Sequence, residues 1–171
     1  MFVLGIDPGL TRCGYGAVRK EGGALRAVSA GVLTTSPSTP LPDRLAELQA
    51  GLQALVADLA PDAVAVERVF FQVNARTAMS VGQASGLALA AAAAAGCAVA
   101  QYTANEVKQA VAGFGGAPKE QVQRMVQAQL RLPQRPRPPD AADALALALC
   151  HHAMAPLRAR VAAVGPRGNR R

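Results

Sequence analysis

Phe2-Val3-Leu4-Gly5-Ile6-Asp7-Pro8-Gly9 opens the chain with an unbroken apolar run that stops at a carboxylate. A run of this length, bounded by a Pro-Gly turn, reads as a buried strand with Asp7 at its carboxyl end. The residues that follow continue in strand fashion. Gly14 and Gly16 punctuate a second strand through Val18, Glu21-Gly22-Gly23 makes a hairpin turn, and Leu25 to Leu33 supplies a third strand. The sheet is therefore expected to begin with antiparallel pairing.

Beyond the third strand the period changes. Leu45, Leu48, Leu52, Leu55 and Leu59 recur at steps of three and four, which predicts an amphipathic helix from about Pro42 to Ala60 with its leucine stripe in the core. Ala63 to Val66 then makes a second buried strand, and it too stops at an acid, Glu67. Asn74 to Ala95, closed by Gly96, reads as a long helix whose Gly82, Gly86 and many alanines permit close packing on a sheet or on a second subunit. Ala98-Val99-Ala100 is a fifth strand, and Thr103 and Glu106 stand at capping-box spacing just after it. Phe114-Gly115-Gly116 breaks the chain before a charged helix from Pro118 to Leu130, and the stretch from Pro133 to Pro139 is a stiff cationic connector. Three strands, helix, strand, helix, strand, then helices imply an α/β fold, a mixed five-stranded sheet with helices on both faces. A chain of 171 residues, 51% hydrophobic, fits one domain. We place it at residues 1–155 and expect a disordered basic tail over 156–171.

Charge is unevenly spread. The formal net charge is +7, yet residues 1–67 hold 5 basic and 7 acidic side chains, whereas residues 68–171 hold 13 basic and 4 acidic. A basic second half points to a polyanionic partner, although a merely cationic soluble surface has the same signature. Cys13, Cys97 and Cys150 form no CxxC pair and the two histidines, His151 and His152, are adjacent, which argues against a zinc finger or disulfide scaffold and fits a reducing cytosol. The longest apolar run, Gly86 to Ala100, is too short and too alanine-rich to span a bilayer, and the N-terminus shows no signal-peptide pattern, so a cytoplasmic protein without membrane contact is expected.

Four carboxylates stand at element ends against apolar neighbours: Asp7, Glu67, and the pair Asp140 and Asp143 in "PPDAADALALAL", residues 138–149. Isolated acids in such places are costly unless paired or bound to metal. Arg68 follows Glu67, but no comparable cation stands in sequence beside Asp7 or the Asp140 pair. Two readings fit the pair: charges at the start of a helix whose first position is Pro139, or metal ligands sharing a face at spacing i,i+3. All-oxygen ligation favours Mg²⁺ or Mn²⁺ over zinc, and two such ions suit phosphodiester hydrolysis. Lys108 and Lys119 flank the Gly115-Gly116 break, where they could hold phosphates or simply be solvated, and Phe70 or Phe71, three and four residues after Glu67, could stack on a base or lie in the core.

The order of motifs resembles the RuvC family, bacterial endonucleases that resolve Holliday junctions. The resemblance covers residues 1 to about 155 and rests on "GIDPGLTRCGYGAV" (5–18), "AVERVFFQVNARTAMSVGQASG" (65–86), "NEVKQAVAGFGGAPKEQVQRMV" (105–126) and "PDAADALALALCHH" (139–152). It implies a ribonuclease H-like fold, a homodimer whose two active sites face a four-way DNA junction, paired nicks leaving ligatable 5′-phosphates, and partnership with the RuvA–RuvB branch-migration complex. It also implies catalytic roles for Asp7, Glu67, Asp140 and Asp143, junction binding or catalysis for Lys108 and Lys119, and a place near the crossover bases for Phe70. Three other readings share parts of this pattern. The Asp7 to Thr11 opening occurs in actin-like ATPases, whose second clamping domain 171 residues do not easily supply; the four acids would suit a nuclease acting on RNA-containing duplexes; the basic half alone would suit a non-catalytic DNA-binding module.

Overall fold

The computed structural model describes residues 1–68 and 75–163. Its elements follow the expected order: β1 (Phe2–Asp7), β2 (Arg12–Glu21), β3 (Ala24–Thr34), α1 (Leu41–Leu59), β4 (Ala63–Glu67), α2 (Ala75–Ala94), β5 (Ala98–Tyr102), α3 (Ala104–Ala112), α4 (Lys119–Gln129) and α5 (Pro139–Ala163). The strands form one sheet in the order β3-β2-β1-β4-β5, antiparallel from β3 to β1 and parallel from β1 through β4 to β5. Phe70, Phe71 and Asn74 lie outside the described residues.

Strand parity sorts the side chains into two cores. Phe2, Leu4 and Ile6 of β1, with Val64 and Val66 of β4, pack on Leu48, Leu52 and Val56 of α1 and the buried alanines Ala84, Ala88 and Ala92 of α2. On the other face Val3 of β1 and Ala65 of β4 meet Val107 and Val111 of α3, Val122 and Val126 of α4, and the apolar run Leu145–Cys150 of α5. Asp7 and Glu67 have the parity of Val3 and Ala65. The alternation that buries β1 and β4 therefore delivers both acids to the α5 side of the sheet, at the carboxyl ends of neighbouring parallel strands.

The leucine stripe of α1 is core as expected. Gly82 and Gly86 face open space rather than the sheet, so it is the alanines that let α2 lie close. Helix α5 sits unusually near the sheet because glycines clear its path. A Cβ on Gly5 would overlap the carbonyl of Ala144, one on Gly14 the carbonyl of Asp140, and one on Gly16 would come within 2.6 Å of the Leu145 nitrogen.

One boundary differs from expectation. Helix α5 continues through Pro156 to Ala163 instead of giving way to a tail near residue 155. An interior proline removes a helical hydrogen bond and crowds the carbonyl four residues back, and two residues beyond it Arg158 ties the helix to its neighbours. Its guanidinium donates to the Gln101 carbonyl at 3.3 Å, lies 4.3 Å from the Tyr102 ring centre and reaches Glu106 at 3.7 Å. Residues 164–171 lie outside the described residues.

Candidate active site

The carboxyl ends of β1 and β4 open onto a cleft of about 360 Å³ lined by Asp7, Glu67, Asp143, Lys108 and Lys119, with Val107, Val122 and Leu147 among its apolar walls. Each side chain is placed by a local feature. Register pairs Ile6 with Val66, so Asp7 and Glu67 are the next step on adjacent strands. Thr103 caps α3 by accepting from the Glu106 N–H at 3.1 Å while the Glu106 carboxylate accepts from the Thr103 N–H at 2.8 Å. That capping box fixes the start of the helix whose next turn carries Lys108. Lys119 begins α4 directly after Pro118.

The site is short of positive charge at its centre. Asp7 is driven up to about 8, first by burial, then by the charge of Glu67 and Asp143, with its hydrogen bond to Glu67 and the charge of Asp140 adding to the effect. Glu67 is also raised, mainly by burial, although the hydrogen bond from Asp7 and the charges of Lys119 and Lys108 oppose the shift. The directions agree on one picture: Asp7 keeps a proton and donates it to Glu67, because two buried carboxylates at this spacing resist double ionisation. Lys119 lies 2.5 Å from Asp143 and its pKa rises, chiefly through that hydrogen bond.

Asp140 stands apart from the other three acids. It does not line the cleft; Arg12, at the start of β2, donates to its Oδ2 through Nε at 3.1 Å and Nη2 at 2.9 Å. No cation stands beside the pair in sequence, but the fold brings one to each acid. Arg12 reaches Asp140 across 128 residues of sequence, and Lys119 reaches Asp143 from the neighbouring helix. Arg12 was missed because nothing local marks it. Gly14 and Gly16, two and four residues on, carried a usable signal, since glycine at alternate strand positions clears one face for an approaching backbone.

Among the described residues, no three acids are yet gathered tightly enough to enclose a metal ion. The donor set nevertheless fits a hard divalent cation: oxygen donors, a shared proton that a cation would replace, and two outer acids held by exchangeable ammonium and guanidinium groups. Cys13 lies near enough for Asp7 and Asp140 to act on it, but burial is the main reason its thiol is pushed up to about 11, which leaves it protonated and unreactive. His151 and His152 lie elsewhere: His151 Nδ1 meets the Tyr102 hydroxyl at 3.0 Å and His152 Nε2 donates to the Val18 carbonyl at 3.0 Å.

A mixed sheet in this strand order, with acids at the ends of its two central parallel strands and more carried in by the last helix, defines a ribonuclease H-like nuclease. Within that class the chain belongs to the RuvC family, matching its description "Crossover junction endodeoxyribonuclease RuvC" over residues 3–151. It is 53% identical over 156 residues to the Chloroflexus aggregans protein of that name, covering 91% of this chain and 95% of the relative. It resembles the Thermus thermophilus RuvC structure with a TM-score of 0.86 at 42% identity, over 92% of this chain and 97% of that one. The T. thermophilus RuvC in complex with Holliday junction substrate gives a TM-score of 0.83 at 40% identity, over 92% and 96%.

Proposed function

We propose that this chain resolves four-way Holliday junctions by metal-assisted phosphodiester hydrolysis, with Asp7, Glu67, Asp140 and Asp143 as the metal-holding acids. The observation that carries the reading is the Asp7–Glu67 pair on neighbouring parallel strand ends, in one cleft with Asp143 and two lysines. Mg²⁺ or Mn²⁺, two ions per site, is the cofactor that oxygen ligation favours. Bound there, the ions would supply the Lewis acidity that makes water a nucleophile near neutral pH and steadies the leaving oxygen.

The chain's own groups do the rest. Asp7 and Glu67, once their shared proton has passed to solvent, would hold the ions together with Asp143, exchanged from Lys119, and Asp140, exchanged from Arg12. Lys119, whose raised pKa keeps it charged, and Lys108 then meet backbone phosphate in place of carboxylate. Protein nucleophiles play no part, since Cys13 stays a thiol. Two nicks of like polarity need two clefts, and each chain supplies one such acid cluster among the described residues. A homodimer is the assembly that would supply both, with the RuvA–RuvB complex delivering the junction in the cytoplasm and Phe70 beside the crossover bases.

The test offers a preformed four-way junction, a linear duplex of the same sequence and an RNA–DNA hybrid to the full chain in Mg²⁺ or Mn²⁺, with binding read separately in Ca²⁺. Paired junction nicks ending in ligatable 5′-phosphates are expected. Preferential cutting of the hybrid would move the chain to the RNA-directed class, and binding without cutting in either metal would leave only a DNA-binding module.

A further inference from the structure

On the far side of the β1–β2 turn from the acid cleft lies a second groove, of about 440 Å³, lined among others by Gly9, Leu10, Thr11, Arg12, Arg44 and Ser80. Its electrostatics are the reverse of the first. Among the described residues two arginines and no acidic side chain line it, whereas the first cleft has three acids on its wall. Arg44 is held in place without being neutralised. Its Nε donates to Thr35 Oγ1 at 3.0 Å and its Nη2 to Thr11 Oγ1 at 2.8 Å, while Thr35 Oγ1 in turn donates to the Leu10 carbonyl at 2.6 Å. Among the described residues Arg44 makes no ion pair. Two of its five N–H donors are spent on hydroxyls, so the planar fork is pre-oriented with donors and a full charge left over. Thr11, exposed at the rim, accepts from Arg44 and keeps its own proton to donate. A fixed, uncompensated guanidinium beside a donor hydroxyl is suited to a phosphodiester oxygen pair.

We infer that this groove seats a backbone phosphate of the strand being cut, through Arg44 and Thr11. The inference rests on the reading of the chain as a junction nuclease and gives that nuclease a second anchoring point. Position supports it: Thr11 is four residues from Asp7, a reach of at most about 14 Å. At about 3.4 Å of rise per nucleotide along one strand, the seated phosphate lies within about four nucleotides of the cleaved bond. A strand held on both sides of the β1–β2 turn is oriented as well as bound. Arg12 forms a shared wall, lining the groove while bonding Asp140, so a phosphate arriving in the groove competes with Asp140 for the same guanidinium.

The experiment measures binding of a preformed junction by the full chain in Ca²⁺ across a salt series, for wild type, Arg44→Gln, Arg44→Lys and the rim substitution Thr11→Ala. Arg44→Gln should weaken binding about ten- to a hundredfold and reduce the salt slope by about one. Arg44→Lys and Thr11→Ala should fall between, with Ca²⁺-induced thermal shifts in the absence of DNA unchanged in all three. Neutral methylphosphonate linkages placed singly within four nucleotides of the cut provide a readout on wild-type protein. At one or two positions they should cost wild type about as much as Arg44→Gln does and cost Arg44→Gln nothing further. Wild-type affinity and slope in Arg44→Gln, or methylphosphonate losses equal in both proteins at every position, would overturn the inference. Absence of junction binding by wild type would instead overturn the reading of the chain as a junction nuclease.

Discussion

Burial, then the charges of Glu67 and Asp143, push the Asp7 carboxyl up, and Glu67 is raised chiefly by burial. Asp7→Asn or Glu67→Gln removes that repulsion and also removes a charged ligand, so chemistry and stability should move in opposite directions. We expect junction cutting to fall by at least about a hundredfold, since even partners of metal ligands are worth ten- to a hundredfold, while junction binding in Ca²⁺ persists. Single-turnover rates beside binding isotherms check this; near-normal turnover in either variant would remove the metal-holding role. The sign of the pH effect follows from the same pair. A native pKa raised above the free-acid value means stability that is complete below about pH 4 and is lost as pH climbs toward 8. Metal-free Asp7→Asn should therefore melt above wild type at pH 8, by about 2–4 °C for each kcal/mol recovered, and the gap should close at pH 4. His151 and His152 act in the other sense. Burial is the first cause of both lowered values, so their contribution is present above about pH 6.5 and is lost as pH falls below it. Melting curves from pH 4 to 8 on both proteins separate the two contributions. Asp7 and Glu67 were legible in the sequence because an apolar strand ending on an acid is visible locally. The Arg12–Asp140 pair was not, because its two halves are 128 residues apart.

Helix α5 reaches the acids' side of the sheet only because β1 and β2 present glycine under it. Gly5, Gly14 and Gly16 sit at positions where an added Cβ would overlap the helix backbone at Ala144, Asp140 and Leu145. None has a positive φ in this structure, so the demand is for clearance rather than for an unusual backbone conformation. Gly16→Ala should cost about 1–3 kcal/mol as overpacking, measured by chemical denaturation. Gly14→Ala presses on Asp140, one of the four acids proposed to hold the metal. It should therefore lower the cutting rate by more than its stability loss accounts for, and the rate should stay low at temperatures where the variant is fully folded. A Gly14→Ala protein as fast as Gly16→Ala, once both are folded, would mean that the exact seat of Asp140 does not matter. The sequence showed these glycines as punctuation of a strand. What they make room for arrives more than 120 residues later, and no local pattern states it. The same distance explains the misplaced end of α5: Pro156 looks like a stop until Arg158 is seen lying on Tyr102.

At the scale of the whole molecule, the order of elements and the two-sided core were readable because each strand and helix declares its period over a few residues. The pairing that brings residues 7, 67, 108, 119 and 143 to one cleft was carried by topology instead. The charge distribution leads to the last prediction. Residues 68–171 carry most of the basic side chains, and they include both lysines of the cleft, so phosphate neutralisation should dominate affinity. Each phosphate neutralised on a duplex contributes about −0.9 to the slope of log K against log salt, and a junction arm and a linear duplex offer the same backbone. Binding to both should therefore weaken steeply with salt and with similar slopes. The preference for the junction should survive, because it comes from the angle at which strands cross rather than from their charge. A competition gel with linear duplex of identical sequence, repeated across a salt series in Ca²⁺, measures slope and preference at once. Constant preference on falling affinity is the expected result. A preference that disappears as salt rises would make junction selection an electrostatic matter of how many phosphates crowd the crossover, and equal affinity throughout would mean that the basic half recognises DNA without recognising its shape.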